Sequence, residues 1–260
     1  MKQLSSHVIL LFLLLGLYPQ RGYTQSAVNY VEMFPLFDYI TIPVDPENWH
    51  LAFVSKNYKV PIDFRPPALG TLKESTSKMD ARVVPYYDAM YDAAKADGIT
   101  LIPGRGSYRT PKGSERIFNE AVQKSIDEDG MTPEAAVRKA AGGRAYPGSS
   151  EHNLGLAVDF LTEGRTVVRF ENTPEFAWLV KNAADYGFIL RFPKGKRPIT
   201  GTNYEPWHWR YVGVETAKVL KGLGVTFNEY MGKPFLSPEK AEEMKKQGIC
   251  VEEFLRKQGR

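Results

Sequence analysis

Two stretches of the 260-residue chain concentrate groups that bind metals and move protons: Ser149-Ser150-Glu151-His152-Asn153-Leu154-Gly155-Leu156-Ala157-Val158-Asp159-Phe160 and Tyr204-Glu205-Pro206-Trp207-His208-Trp209-Arg210-Tyr211. Of the four histidines, His7 lies in an apolar leader and His50 stands alone, which leaves His152 and His208 in these two stretches. His152, Asp159 and His208 offer two imidazoles and one carboxylate, a three-ligand set for zinc that leaves a coordination position open for water. Glu205 is a candidate proton carrier. If the four converge in space, hydrolytic chemistry follows.

Convergence depends on the elements that carry them. Leu154 to Phe160 and Trp207 to Val212 read as strands. Side chains alternate along a strand, so Leu156, Val158 and Phe160 share a core face while Ala157 and Asp159 share the other. Gly148-Ser149-Ser150 forms the loop that brings His152 into reach. In the second stretch the aromatics at 207, 209 and 211 alternate with His208 and Arg210, so His208 faces away from a broad aromatic surface. Strict alternation separates Glu205 from His208, but Pro206 between them is expected to bend the chain and let both meet. Each stretch read alone also fits a plainer account: a surface histidine with a turn-capping aspartate, and an aromatic core strand preceded by a solvated glutamate.

A third element is Gly106-Ser107-Tyr108-Arg109-Thr110, just past the β-prone run Ile99-Thr100-Leu101-Ile102 and the break at Pro103-Gly104. A guanidinium delivered there suits a terminal carboxylate, to which it donates two parallel charge-assisted hydrogen bonds. A structural salt bridge is the plainer alternative.

Around these motifs the apolar spacing from Met79 to Ala96 predicts a helix, kinked or delayed by Pro85, and a second helix is expected from Glu115 to Ile126. Thr132-Pro133-Glu134, Thr173-Pro174-Glu175 and Ser237-Pro238-Glu239 each combine a capping hydroxyl, a first-turn proline and an acid, and each predicts a helix start. Leu51 to Val54 reads as a short strand, and Lys59 to Pro67 as an extended loop. The expected class is α+β, a small antiparallel sheet with flanking helices on one side.

Met1-Lys2 followed by the apolar run Val8 to Leu17 has the profile of a signal peptide or N-terminal anchor over residues 1–25, too short for a comfortable membrane span. The expected location is therefore outside the cytoplasm, with a membrane tether if the leader stays uncleaved. Residues 26–48 form a lead-in, 49–224 the domain that carries the candidate zinc site and 225–260 an accessory helical extension interrupted at Gly248. Lys2 and Arg21 precede residue 26 and no acid does, so loss of the leader takes the formal charge from +4 to +2. That balance carries no nucleic-acid signature, and no feature of the sequence points to an oligomer. The single Cys250, between Ile249 and Val251, permits no internal disulfide and is expected to be buried as a small apolar residue.

Tyr108-Arg109-Thr110, Ser150-Glu151-His152 with Gly155 to Asp159, and Glu205-Pro206-Trp207-His208-Trp209-Arg210-Tyr211-Val212-Gly213 stand in the order found in the VanY-type D-alanyl-D-alanine carboxypeptidases. The chain resembles that family from about Asn48 to Val219. The family belongs with the LAS zinc metallopeptidases, which also include the hedgehog signalling domains. The resemblance implies a hedgehog/D-Ala-D-Ala-peptidase-like fold, one zinc ion on His152, Asp159 and His208, and Glu205 as catalytic base. It also implies that Arg109, helped by Ser107 and Ser150, holds the C-terminal end of a peptidoglycan stem peptide, with Tyr108 and Trp207 as further substrate contacts. Two positions depart from the family pattern: Ser114 stands where a glutamine is often found, and Asn153-Leu154 where Gln-Thr often follows the first histidine. The expected activity is removal of the terminal D-alanine. An L,D-carboxypeptidase acting on tetrapeptides, a peptidoglycan endopeptidase and a non-catalytic zinc-bearing wall-recognition module are the alternatives, the last disfavoured by the presence of Glu205.

Overall fold

The structure, a computed structural model, describes residues 28–258. The leader expected at 1–25 lies outside the described residues. Among those described, no helix is long and apolar enough to cross a membrane.

Among the described residues, eight short strands form three sheets. β1 (Ile40–Thr41) pairs in parallel with β2 (Tyr58–Lys59), and β3 (Leu69–Thr71) pairs antiparallel with β4 (Lys78–Asp80). β5 (Ile102–Pro103), β6 (Ala157–Leu161), β7 (Phe188–Leu190) and β8 (His208–Tyr211) make an antiparallel four-stranded sheet in the order β5-β6-β8-β7. This is the small antiparallel sheet the pattern predicts.

The alternation expected along β6 and β8 sorts its two faces. Val158, Phe160, Trp209 and Tyr211 are buried in the main core with Tyr87, Met90 and Leu179. Tyr87 of the Val84–Ala96 helix stacks on Phe160 at 6.3 Å, and Phe176 of the Pro174–Asn182 helix meets Trp209 edge-on at 6.4 Å. Helices therefore cover the core face, where aromatic burial supplies most of the packing. The opposite face is not bare. At its far end a second core of Phe53, Phe227, Leu236, Val251 and Leu255 closes over the sheet.

Helix starts follow their caps. Thr132, Thr173 and Ser237 each accept a backbone N–H at the start of Pro133–Gly143, Pro174–Asn182 and Pro238–Lys246. The first predicted helix starts late, at Val84, with Pro85 in its first turn, because Lys78–Asp80 upstream is committed to a strand. The second runs longer than expected, Pro111–Asp129, capped by Thr110.

Two expectations are corrected. Leu51 to Val54 is not a strand: Trp49–Leu51 is a 3-10 turn. The carbonyls of His50 and Ala52 are taken by the Arg210 guanidinium at 3.0 and 2.7 Å, which removes them from any strand ladder. Cys250 is exposed, not buried. It sits where the chain restarts after Gly248 turns at φ 75°, and its carbonyl opens the final helix by accepting the Phe254 N–H at 3.0 Å.

The segments flanking the peptidase region are built into the fold. Tyr30 and Val31 share a core with the Pro111–Asp129 and Pro133–Gly143 helices. Asn57, fully buried, donates to the carbonyls of Asp38 and Leu236 and accepts from the Leu236 N–H at 2.9 Å, tying the lead-in to the C-terminal extension. The extension docks on the domain through Met244, Val251 and Leu255.

Candidate active site

Asp159 and His208 stand directly opposite each other in the β6–β8 register. Directly opposed residues bring their Cβ atoms to about 5 Å. The Asp159 Oδ1 to His208 Nδ1 distance is 2.9 Å. His152 arrives from the short Glu151–Leu154 helix that precedes β6, with its Nε2 at 3.4 Å from Asp159 Oδ2.

Two glycines make this entry possible. Gly148 has φ 80°, and a Cβ there would lie 2.5 Å from the Val60 carbonyl oxygen. Gly155 has φ 71°, and a Cβ would lie 2.8 Å from the Asp80 amide nitrogen. Only glycine takes those conformations that close to neighbouring backbone.

One ligand atom from each of His152, Asp159 and His208 falls within 4.8 Å of the others, the spacing and donor chemistry of a tetrahedral zinc site with one position left for water. Electrostatics favour a cation at the same point. Burial opposes charge on Asp159, yet the His152 and His208 imidazoles hold its carboxyl far below the usual range. Burial likewise opposes charge on His208, but hydrogen bonds to Asp159 and Glu151 push it up to about 10.

The outer nitrogens are fixed as well. His152 Nδ1 lies 3.2 Å from the Ser107 carbonyl, and His208 Nε2 lies 3.3 Å from Glu151 Oε2. Glu151 is itself fully buried between two guanidiniums, with its Oε1 2.7 Å from Arg191 Nε and 2.9 Å from Arg210 Nη1. Although burial disfavours its charge, the two arginines keep its carboxyl well below the ordinary range. Such outer partners set the tautomer and direction of ligating histidines. Sequence reasoning singled out neither Glu151 nor Arg191 as functional. Their meeting spans forty positions, and no local spacing announces it.

Glu205 reaches the site as expected. Pro206 lies in a turn closed by the His208 N–H to Glu205 carbonyl bond of 3.1 Å, and the Glu205 carboxylate stands 3.9 Å from His208 Nδ1. Burial raises its proton affinity, the direction a general base needs to work near neutrality.

A cavity of about 490 Å³ opens over this cluster, lined by Arg109, Ser150, Glu205, Trp207 and the three ligands among others. The Arg109 backbone is pinned by the His152 carbonyl and the Asn153 side chain, and its guanidinium is in no ion pair among the described residues. Ser150 lines the cavity and caps the His152 turn. Ser107 and Tyr108 do not line it. The Ser107 hydroxyl donates to the Gly104 carbonyl at 2.9 Å, so Ser107 holds His152 in place and does not reach toward a substrate. The two departures from the family pattern meet each other: Asn153 Nδ2 donates to Ser114 Oγ at 2.8 Å.

Two imidazoles and a carboxylate brought together by β6, β8 and the short helix before β6, with a second carboxylate alongside and an open cavity above, define a zinc-dependent hydrolase. The VanY family model, described as D-alanyl-D-alanine carboxypeptidase, matches residues 76–214, and the chain belongs to that family. A D-alanyl-D-alanine carboxypeptidase of Enterococcus faecalis is 36% identical over 187 residues, 72% of this chain and 67% of the relative. Solved structures agree. VanYB in complex with D-alanine-D-alanine has a TM-score of 0.60 at 36% identity, covering 71% of this chain and 98% of that one. A vancomycin-resistance D,D-pentapeptidase VanY in complex with Zn(II) has 0.59 at 37%, covering 70% and 99%. The LdcB LD-carboxypeptidase has 0.65 at 33%, covering 76% and 91%.

Proposed function

We propose that this protein is a zinc-dependent D,D-carboxypeptidase that hydrolyses the C-terminal D-alanine from peptidoglycan stem peptides, and that it works in the bacterial envelope or outside the cell. The observation that carries the reaction is Glu205 standing 3.9 Å from His208 Nδ1 in the same cavity as Arg109. The relatives' activity on D-alanyl-D-alanine supports the substrate. The apolar run Val8 to Leu17 behind Lys2 supports export.

His152, Asp159 and His208 would hold the zinc, which would supply polarisation of the scissile carbonyl and acidification of the attacking water. Arg109 takes the terminal carboxylate as a two-pronged donor and fixes the last peptide bond over the ligands. Glu205 removes the proton from the attacking water and delivers it to the departing amine of D-alanine. Ser150 and Trp207 line the path of the peptide.

Mass spectrometry of zinc-loaded protein incubated with synthetic pentapeptide and tetrapeptide stems tests the reading. Loss of one D-alanine from the pentapeptide is expected. Trimming of the tetrapeptide alone would transfer the assignment to L,D chemistry, and cleavage of neither would overturn it.

A further inference from the structure

Four cations line the cavity without a carboxylate within ion-pair distance among the described residues: Arg109, Lys56, Arg144 and Arg197. The reaction uses only Arg109. Lys56 is the most deliberately placed of the others. It sits at the tip of a tight turn closed by reciprocal Ser55 and Tyr58 backbone bonds of 2.8 and 3.1 Å. The next residue is the buried Asn57 that ties this turn to Asp38 and Leu236.

The Lys56 ammonium lies over the rings of Phe37 and Phe235, at 5.1 and 5.8 Å from their centroids. Phe235 also presses on Gly201, and its N–H bonds to the Ile199 carbonyl at 2.8 Å, which fixes the Arg197–Thr200 turn beside Lys56. Burial and the Arg197 charge lower the proton affinity of Lys56, with Glu205 acting the other way. Arg109 is instead held beside the ligands, its backbone bonded to the His152 carbonyl and the Asn153 side chain, so the two cations are carried by different walls of the cavity. Lys56 and Arg197 line one cavity with no carboxylate within ion-pair distance among the described residues, an arrangement that suits an anion arriving with the ligand.

We propose that Lys56 and Arg197 form a second anion subsite, which binds a free carboxylate on the part of the peptide upstream of the scissile bond while Arg109 holds the terminal one. This rests on the carboxypeptidase reading and extends it to substrate selection. Phe37 and Phe235, the rings beneath the Lys56 ammonium, come from the lead-in and the C-terminal extension, and both lie outside residues 76–214.

The test uses two pentapeptides that differ only at the second residue, a γ-linked D-glutamate with a free α-carboxylate or its carboxamide. Binding to zinc-loaded Glu205→Ala protein by titration calorimetry and kcat/KM on the wild type are both measured. The free acid is expected to bind about tenfold more tightly, with the gain in KM and not in kcat. Lys56→Gln should erase that preference, Lys56→Arg should keep it, and Arg197→Gln should reduce it.

A merely structural Lys56 would, on substitution, weaken both peptides and leave their ratio intact, which would overturn the proposal. Equal binding of the two peptides by protein with Lys56 intact would overturn it too. Because the calorimetric ratio is read on a variant that does not turn over, a preference in binding without any cleavage by the wild type would refute the carboxypeptidase reading while leaving the subsite standing.

Discussion

Of the three carboxylates around His208, Asp159 and Glu151 differ in everything except their chemistry. Asp159 approaches Nδ1 from the opposed strand at 2.9 Å, is about one-third exposed and faces the cavity. Glu151 approaches Nε2 at 3.3 Å, is 3% exposed and is bound on its other side by Arg191 and Arg210. The imidazole thus has a working side and a fixed side. A carboxylate open to the cavity can share a metal. One whose charge is already matched by two guanidiniums can only orient its neighbour. The buried cluster is itself costly to assemble and is tolerated because its charges and hydrogen bonds are nearly all matched.

Breaking each side separately should give distinct failures. Asp159→Ala is expected to have the largest effect, reducing zinc content and turnover to the level of zinc-free protein, since two imidazoles alone do not complete the site. Metal analysis alongside a D-alanine release assay checks this. Glu151→Ala should leave two buried guanidiniums and one histidine without their anion and lower stability by about 3–5 kcal/mol, read by denaturant unfolding. Glu151→Gln keeps the shape and loses the charge. It should weaken zinc binding by about 10–100-fold in a chelator competition. If Glu151→Gln bound zinc as tightly as the wild type, the fixed side would be structural only.

The smallest effect is expected at the paired departures from the family pattern. Ser114→Ala removes one acceptor of the Asn153 amide and should cost about 1 kcal/mol in thermal or denaturant stability, with zinc binding retained. A large loss of zinc would instead show that the Ser114–Asn153 bond orients the His152 turn.

The same contrast explains what could be read in advance. The open side of the site was legible because it obeys local rules. Period-two alternation put Asp159 and His208 on the face opposite Val158, Phe160, Trp209 and Tyr211, and a proline turn brought Glu205 round to His208. The closed side was not, because Glu151, Arg191 and Arg210 are joined by contacts across forty to sixty positions, and buried ion clusters carry no periodic signature. Lys56 was missed for a similar reason, since its placement depends on Asn57 gripping Leu236, 179 residues away. Two local misreadings share a cause. Leu51 to Val54 and Cys250 lie in short apolar runs, but Arg210 claims the carbonyls of the first, and the turn at Gly248 puts the second at an exposed helix start.

The central claim is that binding of the metal and movement of the proton are separate tasks of adjacent residues in one site. Zinc stoichiometry and D-alanine release from pentapeptide, measured side by side on the wild type, Glu205→Ala and His208→Ala, test it most directly. The account predicts one zinc with turnover for the wild type and one zinc for Glu205→Ala with turnover lower by about 10²–10⁴-fold. It predicts neither zinc nor turnover for His208→Ala. Full turnover in Glu205→Ala, or zinc held firmly by His208→Ala, would contradict it.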